Sequence, residues 1–400
     1  MSYIIDGLRS PIGNFTGTLS AVRTDDLAAY PMRALMAKYP QLADEIDDVI
    51  LGCANQAGED NRNVARMALL LAGLPTSVPG ETVNRLCSSG LSAAVHAHRA
   101  IRAGEGDLFI AGGVENMTRG PWVISKTSNA FGRDAQMYDS SFGWRFINPA
   151  LDALYGSDGM GETAENLVDL YKISREDQDL FAYRSQMKAA AAQKNGRLAK
   201  EIVPVEIPQR KKDPIIFAQD EFIRADSSLE VLAKLRPAFR KTGGSVTAGN
   251  ASGLNDGAAA LLIASEHAMK KHGLKAMSKI LSSGVVGVEP RIMGIGPVKA
   301  SELALKRAGL SMKDMDVIEL NEAFAAQSLA CTRAMGLKDD DPRVNPNGGA
   351  IALGHPLGMT GARLLLSASI ELQEQQKRYA LVTMCVGVGQ GYAAVIERVS

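Results

Sequence analysis

Short runs of aliphatic and β-branched residues alternate along this chain with longer segments in which apolar positions recur every three or four residues. The short runs, such as residues 3–11 (YIIDGLRSP), predict strands, and the longer segments, such as residues 25–40, predict helices that bury one face. Strands that alternate with helices predict an α/β protein with a mostly parallel sheet covered by helices.

This order of elements occurs twice. The strand predicted in residues 3–11 has a counterpart in residues 279–290, and the strand around Val49 has a counterpart around Val317. A glycine-rich turn, a helix and a strand then follow in each part of the chain. We therefore predict two duplicated α/β halves that pack together.

The two halves differ in the connection to their last strand. In the second half, the strand at residues 379–385 reaches the final strand through a short glycine-rich turn, whereas residues 115–248 intervene in the first half. Long insertions at strand ends commonly carry binding functions. We therefore predict an N-terminal half at residues 1–114 and 249–275, an inserted loop domain at 115–248, and a C-terminal half at residues 276–400.

The composition is that of a globular protein, with 46% apolar and 22% charged residues. Lys+Arg and Asp+Glu balance at 44 each, so no overall charge directs the chain to nucleic acid or to an anionic membrane. No apolar run approaches the roughly 20 residues that span a bilayer, and the amino terminus lacks the pattern of a secretory signal. We expect a soluble cytoplasmic protein with neither nucleic acid nor a membrane as a partner.

The four cysteines have no CxxC spacing, which is typical of free thiols in a reducing compartment. Cys87 precedes a predicted helix, where amides and the helix dipole favour an anion and lower a thiol pKa from roughly 8.5 toward neutrality. Cys385 ends a predicted strand, and Gly387, Gly389 and Gly391 let a ligand approach the backbone closely. The alternatives are a small buried core residue at Cys87 and a plain sharp turn after Cys385.

Two further polar residues stand in comparable places. His355 lies between Gly354 and Pro356, in a loop that keeps the ring off any regular apolar face. Asn321 follows a predicted strand at residues 316–320, and the carboxyl ends of parallel strands are where α/β sheets place their sites. A helix cap is the alternative for Asn321. Together with the two cysteines, these residues predict one thiol site.

Two further patterns argue against a dinucleotide-binding site and against a zinc site. The glycines after Cys385 resemble a dinucleotide-binding loop, but the next predicted element is a strand and not the helix that such a loop must open. His96 and His98 are two apart on a predicted helix, and we interpret them as surface residues. No His, Cys or carboxylate spacing resembles a zinc site, so we predict no metal.

Five motifs of the chain resemble the thiolase family and together run through nearly its whole length. They are VNRLCSSG (83–90), TAGNASGLNDGAA (247–259), NEAFAAQ (321–327), GGAIALGHPLG (348–358) and CVGVGQG (385–391). The resemblance implies the thiolase-like α/β fold and a CoA-dependent acyl transfer through an acyl-cysteine.

The same resemblance implies roles for five residues. Cys87 would be the nucleophile, His355 would take its proton, and Cys385 would be the acid and base at the α-carbon. His355 and a water held by Asn321 would bind the enolate oxygen, and the amides of Cys87 and Gly387 would bind the tetrahedral oxyanion. No cofactor would be held permanently, because CoA and acyl-CoA are substrates. By analogy, we expect a homodimer or homotetramer.

The inserted region would hold CoA. By position in the family pattern, the residues that would bind CoA or line the acyl channel are Arg224, Ala248, Gly249, Ser252, Met160, Ala323 and Phe324. Arg224 would lie near the nucleotide end and Ser252 near the pantetheine. Many thiolases carry a histidine just before the counterpart of Met160, where this chain has Gly159.

Within the family, residues 52–75, 144–149 and 290–297 resemble β-ketoadipyl-CoA thiolases of aromatic catabolism, and Val388 stands where many thiolases carry glycine. This resemblance implies cleavage of 3-oxoadipyl-CoA to succinyl-CoA and acetyl-CoA. Because a buried, unpaired carboxylate is costly, we name Arg145 as a candidate partner of the distal carboxylate. The alternative is that Arg145 braces a loop or a subunit contact.

Other functions remain open at this point. A fatty-acid 3-ketoacyl-CoA thiolase, an acetyl-CoA acetyltransferase and a phenylacetate-pathway thiolase would all use the same catalytic residues. A non-catalytic acyl-CoA or lipid-binding relative would not need Cys87, His355 and Cys385. A decarboxylating ketoacyl synthase is disfavoured, because it would carry a second histidine where this chain has Asn321 and would not need Cys385.

Overall fold

The computed structural model describes residues 1–399, which form fourteen strands and twelve α-helices. The strands are β1 (Ser2–Arg9), β2 (Gly13–Asn14), β3 (Asp48–Gly52), β4 (Gly80–Val83), β5 (Leu108–Asn116), β6 (Trp122–Ile124), β7 (Met137–Asp139), β8 (Val205–Gln209), β9 (Lys212–Phe217), β10 (Asn255–Ser265), β11 (Ser278–Gly287), β12 (Val317–Leu320), β13 (Tyr379–Val386) and β14 (Gln390–Arg398). The helices are α1 (Thr24–Lys38), α2 (Val64–Leu71), α3 (Ser89–Ala103), α4 (Pro149–Tyr155), α5 (Met160–Tyr171), α6 (Arg175–Lys194), α7 (Leu229–Ala233), α8 (Glu266–His272), α9 (Gly296–Ala308), α10 (Ala325–Ala334), α11 (Ala350–Leu353) and α12 (Leu357–Glu374).

Ten of these strands form one mixed sheet in the order β12-β13-β14-β11-β1-β10-β5-β3-β4, with β2 paired to β10. The pairs β3/β4, β3/β5 and β12/β13 are parallel, and the other neighbouring pairs are antiparallel. The expectation of a mostly parallel sheet is therefore wrong. One physical reason is the turn between β13 and β14, which is far too short for the crossover that parallel strands require.

The duplication predicted from the sequence is confirmed by the strand order. In the first half, β3, β5, β10 and β1 are neighbours, and their directions are parallel, antiparallel and antiparallel in turn. In the second half, β12, β13, β14 and β11 repeat the same order and the same directions. The two ladders join where β1 and β11 pair antiparallel.

Helices α3 and α12 lie at the centre of the molecule and are buried along most of their length. One apolar core contains both helices together with strand residues from the two halves. Helices α1 and α2 pack on the outer face of the first half, and α9 and α10 pack on the outer face of the second. The two halves of the sheet therefore pack on the central pair of helices, and each half is covered on its other face by outer helices.

The central position of α3 overturns one sequence interpretation. His98 is buried, and its Nδ1 lies 2.7 Å from the Ser2 hydroxyl. Reading it as a surface residue was wrong, because a helix enclosed by the core has little outer face. His96 is half-buried.

The segment between β5 and β10 contains two small hairpins, β6/β7 and β8/β9, and helices α4 to α7. It is tied to the first half by Arg9, whose guanidinium donates to Asp220 at 2.7 and 2.8 Å and to Glu201 at 3.2 Å. The predicted limits of the three segments stay a prediction. None of the helices in residues 1–399 is long and apolar enough to cross a membrane.

Candidate active site

The turn before α3 holds Cys87 in a strained and tightly bonded loop. Leu86 has a φ of 47°, in the left-handed region that a leucine rarely adopts. The Ser89 hydroxyl fixes this turn, because it accepts from the Arg85 amide at 2.8 Å and donates to the Leu86 carbonyl at 2.7 Å. Cys87 follows in a short 3-10 helix that leads directly into α3.

The electrostatic setting of Cys87 differs from the sequence expectation. The backbone amides of Gly387 and of Cys87 itself lower the pKa of the thiol, but burial has the larger effect and raises it to about 11. The expectation of a pKa near neutrality was therefore wrong for this structure. A helix start was visible in the sequence, whereas the depth of burial was not. At neutral pH the sulfur is a protonated thiol.

The loop before α12 fixes His355 at both backbone and ring. Its amide donates to Asn255 Oδ1 at 3.0 Å. Its Nδ1 lies 2.7 Å from Thr360 Oγ1, and that hydroxyl donates to the Pro356 carbonyl at 2.8 Å. Since the single hydroxyl proton is used on Pro356, Thr360 must accept from Nδ1–H. This bonding leaves Nε2 unprotonated and able to accept a hydrogen bond, which is the form that can take a proton.

Asn321 follows β12 and faces the reactive nitrogen of His355. Its Nδ2 lies 3.3 Å from His355 Nε2. Within residues 1–399, the buried Asn321 Oδ1 has no hydrogen-bond partner. Burial, with a smaller contribution from the Arg363 charge, lowers the pKa of His355 to about 3. The imidazole is therefore neutral and able to act as a base.

Glu322, the neighbour of Asn321, has a bracing position. Its buried carboxylate accepts from the Ser185 hydroxyl at 2.6 Å, from Asn345 Nδ2 at 2.7 Å and from the Ile351 amide at 3.3 Å. Burial raises the pKa of this carboxyl, and the hydrogen bonds oppose that rise. These bonds join the Asn321 loop to α11, and thus support the segment that leads to His355.

Close helix packing brings the Cys87 and His355 loops together. A Cβ added at Gly90 would lie 2.5 Å from the Gly358 carbonyl oxygen, and one added at Gly361 would lie 2.3 Å from the Leu91 amide nitrogen. Such distances exclude any side chain, so glycine is required where α3 and α12 touch at their first turns. The helix starts that carry Cys87 and follow His355 therefore meet.

Cys385 is the second thiol of the site. It is completely buried at the end of β13, in an apolar cluster with Ala164, Ala323 and Phe324. Burial raises the pKa of its thiol well above the usual range, and negative charge on Cys87 raises it further. Strand β13 packs against the turn Leu86–Ser88, and a Cβ added at Gly387 would lie 3.0 Å from the Leu86 side chain. The strand end that carries Cys385 therefore lies against the turn that carries Cys87.

Of the residues assigned to CoA or the acyl channel, three adjoin Cys385. Ala323 and Phe324 are in its cluster, and Ser252 is held on the Ala323 carbonyl by its amide at 2.9 Å and its hydroxyl at 3.1 Å. The other four lie at or near the surface: Met160 is 37% exposed at the start of α5, Gly249 is half-buried, and Ala248 and Arg224 are exposed.

Arg145 contacts its own loop and the loop that follows β3. Its Nη1 donates to the Ser140 carbonyl at 3.4 Å, and its Nη2 donates to the Asn55 backbone and side-chain oxygens at 3.3 and 3.0 Å. These bonds match the bracing alternative. Its role toward a substrate carboxylate stays a prediction.

Two residues that position His355 were missed by reasoning from the sequence. Asn255 receives the His355 amide, and Thr360 fixes the ring tautomer. Asn255 stands inside one of the quoted motifs and Thr360 lies two residues beyond another, but their contacts arise from tertiary structure and have no signature in spacing. The threonine five residues after the histidine was the one available signal, because the first turn of a helix returns toward the preceding loop.

Comparison with known proteins identifies the class of this site. A family model described as the thiolase N-terminal domain matches residues 2–267, and one described as the thiolase C-terminal domain matches residues 274–398. The chain belongs to the thiolase family and is an acyltransferase. The predicted family is confirmed.

Full-length relatives show which thiolases this chain is similar to. The 3-oxoadipyl-CoA/3-oxo-5,6-dehydrosuberyl-CoA thiolase of Escherichia coli (strain K12) and a beta-ketoadipyl-CoA thiolase of Acinetobacter baylyi are each 60% identical over 399 residues, 100% of this chain and 99% of the relative. An acetyl-CoA acetyltransferase of Chromobacterium violaceum is 46% identical over 396 residues, 99% of each chain. The crystal structure of the Bacillus anthracis acetyl-CoA acetyltransferase has a TM-score of 0.92 at 40% identity, and covers 100% of this chain and 98% of that one. The thiolase-like fold is confirmed.

Proposed function

We propose that this thiolase cleaves 3-oxoadipyl-CoA with CoA, giving succinyl-CoA and acetyl-CoA, in the catabolism of aromatic compounds. The observation that supports the substrate is the 60% identity, over the full chain, to relatives named for 3-oxoadipyl-CoA and beta-ketoadipyl-CoA. The reaction is supported by two buried thiols: Cys87 lies in a turn against which β13 packs, and β13 carries Cys385.

In the first half-reaction, Cys87 attacks the 3-keto carbonyl and its proton passes to His355 Nε2. Because the thiol and the imidazole are both neutral beforehand, this proton transfer accompanies the attack. The bond between C2 and C3 then breaks, and its electron pair forms the enolate of acetyl-CoA. Cys385 gives its proton to C2, and acetyl-CoA leaves. A succinyl thioester remains on Cys87.

In the second half-reaction, the thiol of CoA gives its proton to the Cys385 thiolate and attacks the succinyl thioester. Cys87 leaves as a thiolate and recovers its proton from His355. Succinyl-CoA is released, and both cysteines and the histidine return to their starting forms. Two thiols thus divide the nucleophile from the acid and base.

Two sets of donors stabilise the charges that develop. The amides of Cys87 and Gly387, which already approach the Cys87 sulfur, bind the oxyanion of the tetrahedral intermediate. The protonated Nε2 of His355 donates to the enolate oxygen, together with a water held by Asn321. The unpaired Asn321 Oδ1 is the atom that supports this assignment.

We further propose that CoA lies along the inserted region. Arg224 contacts its nucleotide end, Ser252 with Ala248 and Gly249 contacts the pantetheine, and Met160 with Ala323 and Phe324 lines the acyl channel. The position of Ser252, Ala323 and Phe324 beside Cys385 supports this order. A cytoplasmic homodimer or homotetramer is proposed by analogy with the family.

The test is CoA-dependent thiolysis by wild type and by Cys87→Ala. We expect the alanine variant to lose activity, because no other group forms the acyl thioester, and unchanged turnover would exclude this mechanism. The substrate is tested by kcat/KM for 3-oxoadipyl-CoA, acetoacetyl-CoA and a longer 3-ketoacyl-CoA. A higher value for either of the last two would replace the proposed substrate.

A further inference from the structure

A narrow cleft opens beside the turn that follows Cys385. Val388 of that turn lines it together with Trp144, Met160, Pro290 and Arg291. The turn rests directly on this wall, since a Cβ added at Gly389 would lie 2.9 Å from Pro290. The cleft therefore begins next to the glycine whose amide approaches Cys87.

Arg291 is the one cation among the described residues that line this cleft. Its Nε donates to Asp158 Oδ2 at 2.9 Å, and more than half of the side chain is exposed. Within residues 1–399, neither terminal nitrogen of Arg291 donates to a protein acceptor. The guanidinium is therefore held from one side, and its two NH2 groups remain available.

Asp158 is itself fixed in place. Its carboxylate also accepts from Asn166 Nδ2 at 3.0 Å, and its carbonyl accepts from Trp144 Nε1 at 3.2 Å. Asn166 Nδ2 further donates to the Arg291 carbonyl at 2.9 Å. These contacts hold Arg291 at the cleft without covering its terminal nitrogens. Arg145, in contrast, uses both terminal nitrogens on Ser140 and Asn55.

Resting on the proposed function, we propose that Arg291 receives the distal carboxylate of the acyl chain and selects dicarboxylic substrates. In 3-oxoadipyl-CoA the distal carboxylate lies three carbons beyond the carbonyl that Cys87 attacks. The distal end of the acyl chain must therefore extend away from the Cys87 sulfur. An arginine with two free NH2 groups can bind a carboxylate with two parallel hydrogen bonds. The free volume of the cleft is about 10 Å³, so Met160 and Val388, which are 37% and 42% exposed at its rim, must turn aside to admit the carboxylate.

The ion pair makes opposite predictions for its two members. Arg291→Gln removes the charge that attracts the carboxylate. Asp158→Asn keeps Arg291 but removes the negative charge that competes with the substrate for it. If the pair served only to hold the loop, both variants would break it and would change activity in the same direction for every substrate.

The experiment measures kcat/KM for 3-oxoadipyl-CoA and acetoacetyl-CoA with both variants. We expect Arg291→Gln to lower the value for 3-oxoadipyl-CoA about tenfold, as for a lost hydrogen bond between charged groups, with little change for acetoacetyl-CoA. Asp158→Asn should raise the preference for 3-oxoadipyl-CoA. Acetoacetyl-CoA turnover also reports whether each variant has folded.

Two further arginine variants serve as controls. Arg378→Gln removes an exposed arginine whose Nε donates to Glu397 at the same 2.9 Å, and it should leave the substrate ratio unchanged. Arg145→Gln tests the other candidate, and a loss of selectivity there but not in Arg291→Gln would overturn the proposal. Equal changes for both substrates in Arg291→Gln would also overturn it. Wild type that cleaves only acetoacetyl-CoA would instead remove the proposed substrate, and this inference with it.

Discussion

The ends of β5 and β13 occupy equivalent places in the two halves of the molecule. Gly113 of β5 pairs with Ala259, and Thr383 of β13 pairs with Ala393, at matching points of the two ladders. Two residues further along, the first half has Glu115 and the second half has Cys385. On the neighbouring strands, Gly52 of β3 pairs with Gly113 and Leu320 of β12 pairs with Thr383. The next residues, Cys53 in the first half and Asn321 in the second, therefore correspond.

In the first half these positions hold the protein together. The Glu115 carboxylate accepts from the amides of Ala54 and Asn55, each at 3.0 Å, and from the Gly358 amide at 2.9 Å. Gly358 is in the first turn of α12, so Glu115 links the first half to the helix that follows His355. Cys53 donates to Asp60 at 3.4 Å.

In the second half the equivalent groups are buried but are not tied to neighbouring loops by such bonds. Asn321 Oδ1 has no partner within residues 1–399, and Cys385 lies among apolar side chains. Duplication has thus produced two equivalent sets of groups at strand ends, Cys53 with Glu115 and Asn321 with Cys385. The first set is hydrogen-bonded to the loops, whereas the second has the unbonded groups that the proposed mechanism requires.

The largest effect should come from the pair of buried cysteines. Cys385→Ser should retain acylation of Cys87 but lose about 10²–10⁴-fold in exchange of the α-protons of acetyl-CoA, because a hydroxyl is a far weaker acid than a thiol. The measurement is deuterium exchange at the α-carbon beside exchange of labelled CoA into acetyl-CoA. Cys53→Ser makes the same chemical change in the first half, and an equal loss there would refute the division between the halves.

A smaller effect should follow from Asn321→Ala. Loss of one group that supports the enolate oxygen should lower kcat by about 10²–10³-fold, with a modest change in KM, because the charge appears only during reaction. Steady-state thiolysis of acetoacetyl-CoA measures both constants. Cys53→Ala, at the corresponding strand end, should cost stability and leave kcat nearly unchanged. A kcat for Asn321→Ala close to that of wild type would show that Asn321 does not support the enolate oxygen and has a structural role.

Much of this fold was readable from the sequence because each half repeats one order of apolar patterns. Strand direction was not, since the periodicity of β11 or β14 is the same for parallel and antiparallel neighbours. The candidate site was predicted from glycine-rich turns at helix starts and strand ends, which drew attention to Cys87 and His355. Their partners Asn255 and Thr360 depend on tertiary contacts, which spacing does not encode.

The protonation of the site was the least predictable property. The helix start at Cys87 indicated a lowered pKa, yet burial outweighs the amides and raises it. Burial depends on how closely α12 packs against the first half. Gly90 and Gly361 set its distance to α3, and Gly358 sets its distance to the ends of β3 and β5. A single sequence presents these glycines as separate loop residues.

The smallest effect on activity, and a distinct effect on stability, should come from Glu115→Gln. Burial raises the pKa of Glu115 from 4.5 to about 7, so the folded protein binds this proton more tightly than the unfolded chain. The contribution of Glu115 to the free energy of unfolding is therefore full below about pH 4.5 and is lost as pH rises through about 7, by at most about 1.4 kcal/mol per pH unit. The glutamine oxygen can still accept from the amides of Ala54 and Gly358 at the position of Oε2. Its NH2 group would face the Asn55 amide, which is also a donor, and the lost hydrogen bond should lower the free energy of unfolding by about 1–3 kcal/mol. In urea unfolding, the variant should thus be less stable than wild type near pH 5, and the difference should shrink toward pH 8. A difference that grows with pH would mean that the three amides favour the charged carboxylate, and that this strand end is built for an anion.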